Sequence, residues 1–168
     1  MKRFILLLLP VLILAGCSSK DDADYKAEAE ESLSKGNIAG AVAAYESLIK
    51  EFPDSKLAPA ALFEIGTLYQ NKTVKNIGSR ESMEKAVEIF RSVYDKYPQS
   101  REAPKSLFMS GFILANDLGK FNEATETYNL FLAKFPKHEL ADDAQLELDN
   151  MGLTPEEIIS RKNSKPNI

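Results

Sequence analysis

Ala86-Val87-Glu88-Ile89-Phe90-Arg91-Ser92-Val93-Tyr94-Asp95-Lys96-Tyr97-Pro98 carries an alanine, an aromatic residue four places on and a proline eight places after that. The same spacing recurs as Ala41, Tyr45 and Pro53, and as Ala124, Tyr128 and Pro136. Each proline sits in a similar frame: Glu51-Phe52-Pro53-Asp54-Ser55, Lys96-Tyr97-Pro98-Gln99-Ser100 and Lys134-Phe135-Pro136-Lys137-His138. Ala58, Ala103 and Ala141 lie five residues after a proline, and Ala61, Ser106 and Ala144 lie eight after. Gly66 and Gly111 fall thirteen after their prolines, where Asp149 breaks the pattern. Spacing this regular marks an internal repeat.

Each unit reads as two amphipathic helices. An alanine and an aromatic residue four apart share one helix face, so the small residue admits a neighbour and the ring fills the gap beside it. A glycine inside a helix costs about 1 kcal/mol relative to alanine. Gly66 and Gly111 therefore predict a crossing too close for a Cβ. Proline ends each second helix because it cannot continue the hydrogen-bond ladder.

Gly66 with Tyr69, the alanine–aromatic pair and the terminal proline together resemble the tetratricopeptide repeat over about residues 24–150. The resemblance implies an all-α, right-handed helical solenoid of about three helix pairs with a C-terminal capping helix. It is weakest in the first unit, where Ala29 and Ser32 hold the glycine and tyrosine places. The extra length of the second unit falls near Asn71–Ser82, with Lys72, Lys75 and Arg80. A solvated loop or lengthened helix end explains that insert; a partner contact is the alternative. Leu140–Asn150 reads as the first helix of a fourth unit, with Gln145 and Asp149 making a polar cap. Thr154-Pro155-Glu156-Glu157 offers a capping box for a short helix to about Arg161, with Asn163–Ile168 frayed.

The N-terminus has another character. Lys2 and Arg3 precede an apolar run, Phe4–Leu14, that is too short to span a bilayer as a mature helix. Leu14-Ala15-Gly16-Cys17 then resembles a bacterial lipobox, which implies cleavage between Gly16 and Cys17, an S-diacylglyceryl group on the Cys17 thiol and an N-acyl chain, such as palmitate, on its amine. Two or three acyl chains make membrane residence stable, at ~0.8 kcal/mol per buried methylene. The expected organisation is a removed leader at 1–16, a lipidated flexible tether at 17–24, a repeat domain at 25–153 and a short helix and tail at 154–168. Ser18, where some bacteria place an inner-membrane retention Asp, points to the outer membrane, on its periplasmic side.

Composition narrows the function classes. Losing Lys2 and Arg3 takes the formal net charge from −4 to about −6, which argues against nucleic acid. Cys17 is the only cysteine, so with that thiol acylated no disulfide forms and packing carries stability. His138 is the only histidine, and adjacent carboxylates such as Asp142-Asp143 point in different directions on a helix. No phosphate loop, serine elbow or metal-ligand spacing occurs, so no catalytic residue, metal or cofactor other than the covalent lipid is expected.

What remains is a groove. In a tetratricopeptide solenoid the first helices line the concave face, where peptides and protein segments bind. Helical stepping puts Phe63, Thr67 and Gln70 on that face in the second unit, and Lys105, Phe108, Phe112 and Asn116 in the third. Lys26 and Glu30 are the first unit's equivalents. Phenylalanines there would serve as apolar sockets, although aromatics at this spacing also build cores. A lipobox followed at once by such repeats resembles the BamD family of outer-membrane β-barrel assembly lipoproteins, which implies a scaffold for envelope proteins; that family has five units against three here. The tetratricopeptide protein of the Tol-Pal system is the alternative, though its N-terminal coiled coil has no counterpart in residues 18–24. A third reading is a self-assembling lipoprotein.

Overall fold

The computed structural model describes residues 20–164, and these form eight helices. They are α1 (Asp22–Ser34), α2 (Ile38–Glu51), α3 (Ala58–Gln70), α4 (Ser79–Lys96), α5 (Glu102–Asn116), α6 (Phe121–Lys134), α7 (Ala141–Asn150) and α8 (Pro155–Ser164). The lipobox and Cys17 lie outside the described residues. Consecutive helices pack as antiparallel pairs α1–α2, α3–α4 and α5–α6, with α2 on α3, α4 on α5 and α6 on α7 joining them into a solenoid. No helix among the described residues is long and apolar enough to cross a membrane.

The three prolines build the same joint three times. A residue before proline is pushed out of the α region, so the chain must leave the helix there. Phe52, Tyr97 and Phe135 all adopt φ −129° with ψ between 50° and 60°. Their carbonyls then accept from Ser55, Ser100 and His138 N–H, whose carbonyls accept in turn from Ala58, Ala103 and Ala141. Each joint thus passes the chain from a second helix to the next first helix with one geometry.

The glycines behave as the spacing predicts, with a sharper cause. A Cβ on Gly66 would stand 2.8 Å from Phe90 Cε1, and one on Gly111 would stand 3.1 Å from Tyr128 Cε1. The slot in each first helix is filled by the ring of its own second helix. Phe90, Tyr128 and Phe131 are fully buried, and Tyr45 nearly so beside Ala29. Each such ring contributes on the order of 1.5–3 kcal/mol through burial.

Three boundaries move. α1 starts at Asp22, inside the expected tether, because Asp21 and Asp24 form a reciprocal cap: Asp21 Oδ1 accepts from Asp24 N–H at 2.8 Å, and Asp24 Oδ2 from Asp21 N–H at 3.0 Å. The insert divides into a loop at 71–78, with Lys72 and Asn76 at positive φ, and an added first turn of α4. Ser82 fixes that turn by donating to the Tyr69 carbonyl at 2.6 Å. α8 runs to Ser164, past the expected end at Arg161. The predicted capping box is present, with Glu157 Oε2 accepting from Thr154 N–H at 2.8 Å.

Candidate functional site

The first helices α1, α3, α5 and α7 leave a series of clefts where neighbours meet. Between α1 and α3 lies a cavity of about 320 Å³, with Lys26, Glu30, Tyr45, Ala60 and Glu64 among its walls. Ala60 and Glu64 also border the next, of about 210 Å³, which α5 closes with Arg101, Glu102 and Lys105. A third, of about 410 Å³, opens between α5, α7 and α8 around Asn116, Phe121 and Leu146. Alanine at 60 keeps the wall between the first two clefts low.

The expected groove residues divide by environment. Phe63 is half-buried: its ring lies 5.2 Å from Phe90, and Lys105 Nζ sits 5.1 Å above its centroid. Lys105 thus covers the phenylalanine with a contact worth about 0.5–1 kcal/mol, which a bound segment could displace. Phe108 turns toward α6, with its ring 5.6 Å from Tyr128 and 5.9 Å from Phe131, so it serves the core of the third pair. Thr67 Oγ1 donates to the Phe63 carbonyl, and Gln70 and Phe112 are half-buried on the same helices. Asn116 is exposed; its Nδ2 donates to the Phe112 carbonyl at 3.2 Å and reaches Glu147 Oε2 at 3.4 Å, tying α5 to α7. Ala60, Glu64, Arg101 and Glu102 were not picked out by stepping from Phe63.

Charge changes along the face. Lys26 and Glu30 pair within α1, leaving Glu64 to make the first cleft acidic. Burial, with Glu64 and Glu30 nearby, pushes the Tyr45 phenol up, so it stays a neutral donor. The second cleft adds two cations, Arg101 and Lys105, beside Glu102. Among the described residues no group of three or more His, Cys, Asp or Glu side chains could hold a metal ion. His138 is half-buried at the third proline joint, where its Nδ1 accepts from Leu140 N–H at 3.2 Å.

Paired helices, shared joints and ring-filled glycine slots agree with the sequence comparison, in which the tetratricopeptide repeat matches residues 25–55, 60–100 and 105–138. The chain belongs to the tetratricopeptide-repeat family. Each matched stretch runs from within the first turn of one first helix to beyond the end of its second helix, in the pairs α1–α2, α3–α4 and α5–α6. Residues 1–18 match the prokaryotic membrane lipoprotein lipid attachment site. A search of the curated proteins found no match. A protein-interaction fold of tetratricopeptide repeats therefore follows a membrane lipid anchor.

Proposed function

We propose that this lipoprotein is a scaffold of the outer membrane's periplasmic side, anchored through lipid on Cys17, whose concave tetratricopeptide face holds segments of other envelope proteins. The observation that carries the reading is the run of clefts along α1, α3, α5 and α7, with Phe63 beneath a displaceable Lys105 in the second of them. The anchor restricts the partners. Only four residues separate Cys17 from Asp22, so at ~3.5 Å per residue α1 starts within about 18 Å of the lipidated cysteine. That reach suits partners at the membrane surface, as in β-barrel assembly.

A photo-crosslinking residue placed at Phe63 or Lys105, with Glu46 on α2 as the exposed control, tests this in living cells. The reading expects discrete adducts from the concave positions that are absent from the control. Recovery of a barrel-assembly subunit supports the BamD-like role, and recovery of Tol-Pal or peptidoglycan partners supports envelope coordination. Equal, diffuse labelling from all three positions would sink the concave-face reading.

A further inference from the structure

In the first cleft, polar groups from three helices face one small space: Glu30 from α1, Tyr45 from α2 and Glu64 from α3. Tyr45 is only 4% exposed, yet its hydroxyl has no hydrogen-bond partner among the described residues. The Tyr128 hydroxyl is sealed in the core, whereas Tyr45 lines a cavity. A buried hydroxyl without a partner is costly, so the group that bonds it has to come from the cleft.

The charges around that space do not balance. Lys26 pairs with Glu30 inside α1, which leaves Glu64 as a carboxylate with no ion pair to any described residue. Arg101 and Lys105 border the neighbouring cleft with Glu64, but neither pairs with it, and Lys105 covers Phe63 instead. The rest of the wall is hydrocarbon, from Leu33, Leu57 and Ala61. At about 320 Å³ the cavity has room for one long side chain.

These features select among side chains. A neutral apolar one would suit the leucines and leave the Tyr45 hydroxyl unsatisfied. An anionic one would meet Glu64 with like charge. Arginine or lysine lays its aliphatic stem on apolar surface while its charged head reaches a polar rim. Guanidinium N–H groups can donate to a phenol oxygen and a carboxylate together, and their weaker hydration suits a partly enclosed site.

We propose that the first cleft is a specificity pocket for one cationic side chain, arginine before lysine, carried by the segment that the concave face holds. Glu64 supplies the charge, Tyr45 the hydrogen bond, and Leu33, Leu57 and Ala61 the seat for the stem. The pocket rests on the concave-face reading and adds what such a segment must carry.

The lipidated full-length protein in nanodiscs is offered two pools of short peptides with random flanks. One pool has arginine at its centre and the other has citrulline, a neutral residue of nearly the same shape. The pocket predicts about tenfold or greater retention of the arginine pool. Glu64→Gln should remove that preference and Tyr45→Phe should weaken it, while Glu46→Gln on α2 should leave it unchanged. Equal retention of the two pools, or retention of neither, would overturn the proposal, as would an arginine preference that survives Glu64→Gln. Ala60→Trp, which blocks the wall between the first two clefts, separates the two readings. Equal retention of both pools that Ala60→Trp abolishes would overturn the pocket and leave the concave-face reading standing. Equal retention that survives Ala60→Trp would overturn both.

Discussion

His138 and Tyr128 show what single residues do in this molecule. His138 occupies the place of Ser55 and Ser100 in the proline joints. Ser55 Oγ accepts from Leu57 N–H at 2.9 Å, Ser100 Oγ from Ala103 N–H at 3.2 Å, and His138 Nδ1 from Leu140 N–H at 3.2 Å. The sole histidine is thus a turn cap, a role foreshadowed only by its position two residues after Pro136. Tyr128 fills the Gly111 slot, but its buried hydroxyl has no hydrogen-bond partner among the described residues. A buried, unsatisfied hydroxyl costs about 1–3 kcal/mol. Tyr128→Phe should therefore match or exceed the wild type in thermal stability, and a loss above about 1 kcal/mol would show that the hydroxyl is bonded. Burial, with Glu147 nearby, pushes the phenol well above its ordinary value of 10.0. The folded chain thus holds its proton where the unfolded chain releases it, and this contribution is lost as pH rises above about 10. Denaturant melts between pH 9 and 11 should show the variant gaining on the wild type as pH rises.

At the scale of helices, glycine and ring form a matched pair whose tightness differs between repeats. Alanine at either slot gains about 1 kcal/mol of helix propensity and meets an overpacking cost of about 1–3 kcal/mol. With Phe90 fully buried and only 2.8 Å from the added carbon, Gly66→Ala should lower stability by about 1–2 kcal/mol. Gly111→Ala, at 3.1 Å, should lie closer to wild type. Thermal melts giving Gly66→Ala the higher midpoint of the two would refute the explanation. The paired helices were legible in the sequence because proline, glycine and alanine fix backbone geometry wherever they recur. Their outward faces were less legible. Stepping from Phe63 gave Thr67 and Gln70, whereas the clefts use Ala60, Phe63 and Glu64, because a cleft wall depends on how far the next helix stands off. Phe108 shared the groove spacing yet turned to Tyr128 and Phe131, since three neighbouring rings pack better together than apart. Asp22–Asp24, read as tether, became helix through a reciprocal cap made only by aspartates.

As a whole, the molecule joins a lipid attachment site to three tetratricopeptide pairs followed by α7 and α8. The anchor and the repeat fold could both be read from short motifs. The acidic first cleft and the Lys105 cover on Phe63 depended on the packed helices and emerged only with them. The proposed place of the concave face, beside a membrane, depends on Cys17. The most direct test is the intact mass of the protein extracted from native membranes. The account predicts a chain beginning at Cys17 and carrying a diacylglyceryl group with an N-acyl chain, and it predicts that Cys17→Ser stays unprocessed and unlipidated. A mature chain with an unmodified Cys17, or one cleaved elsewhere, would contradict it.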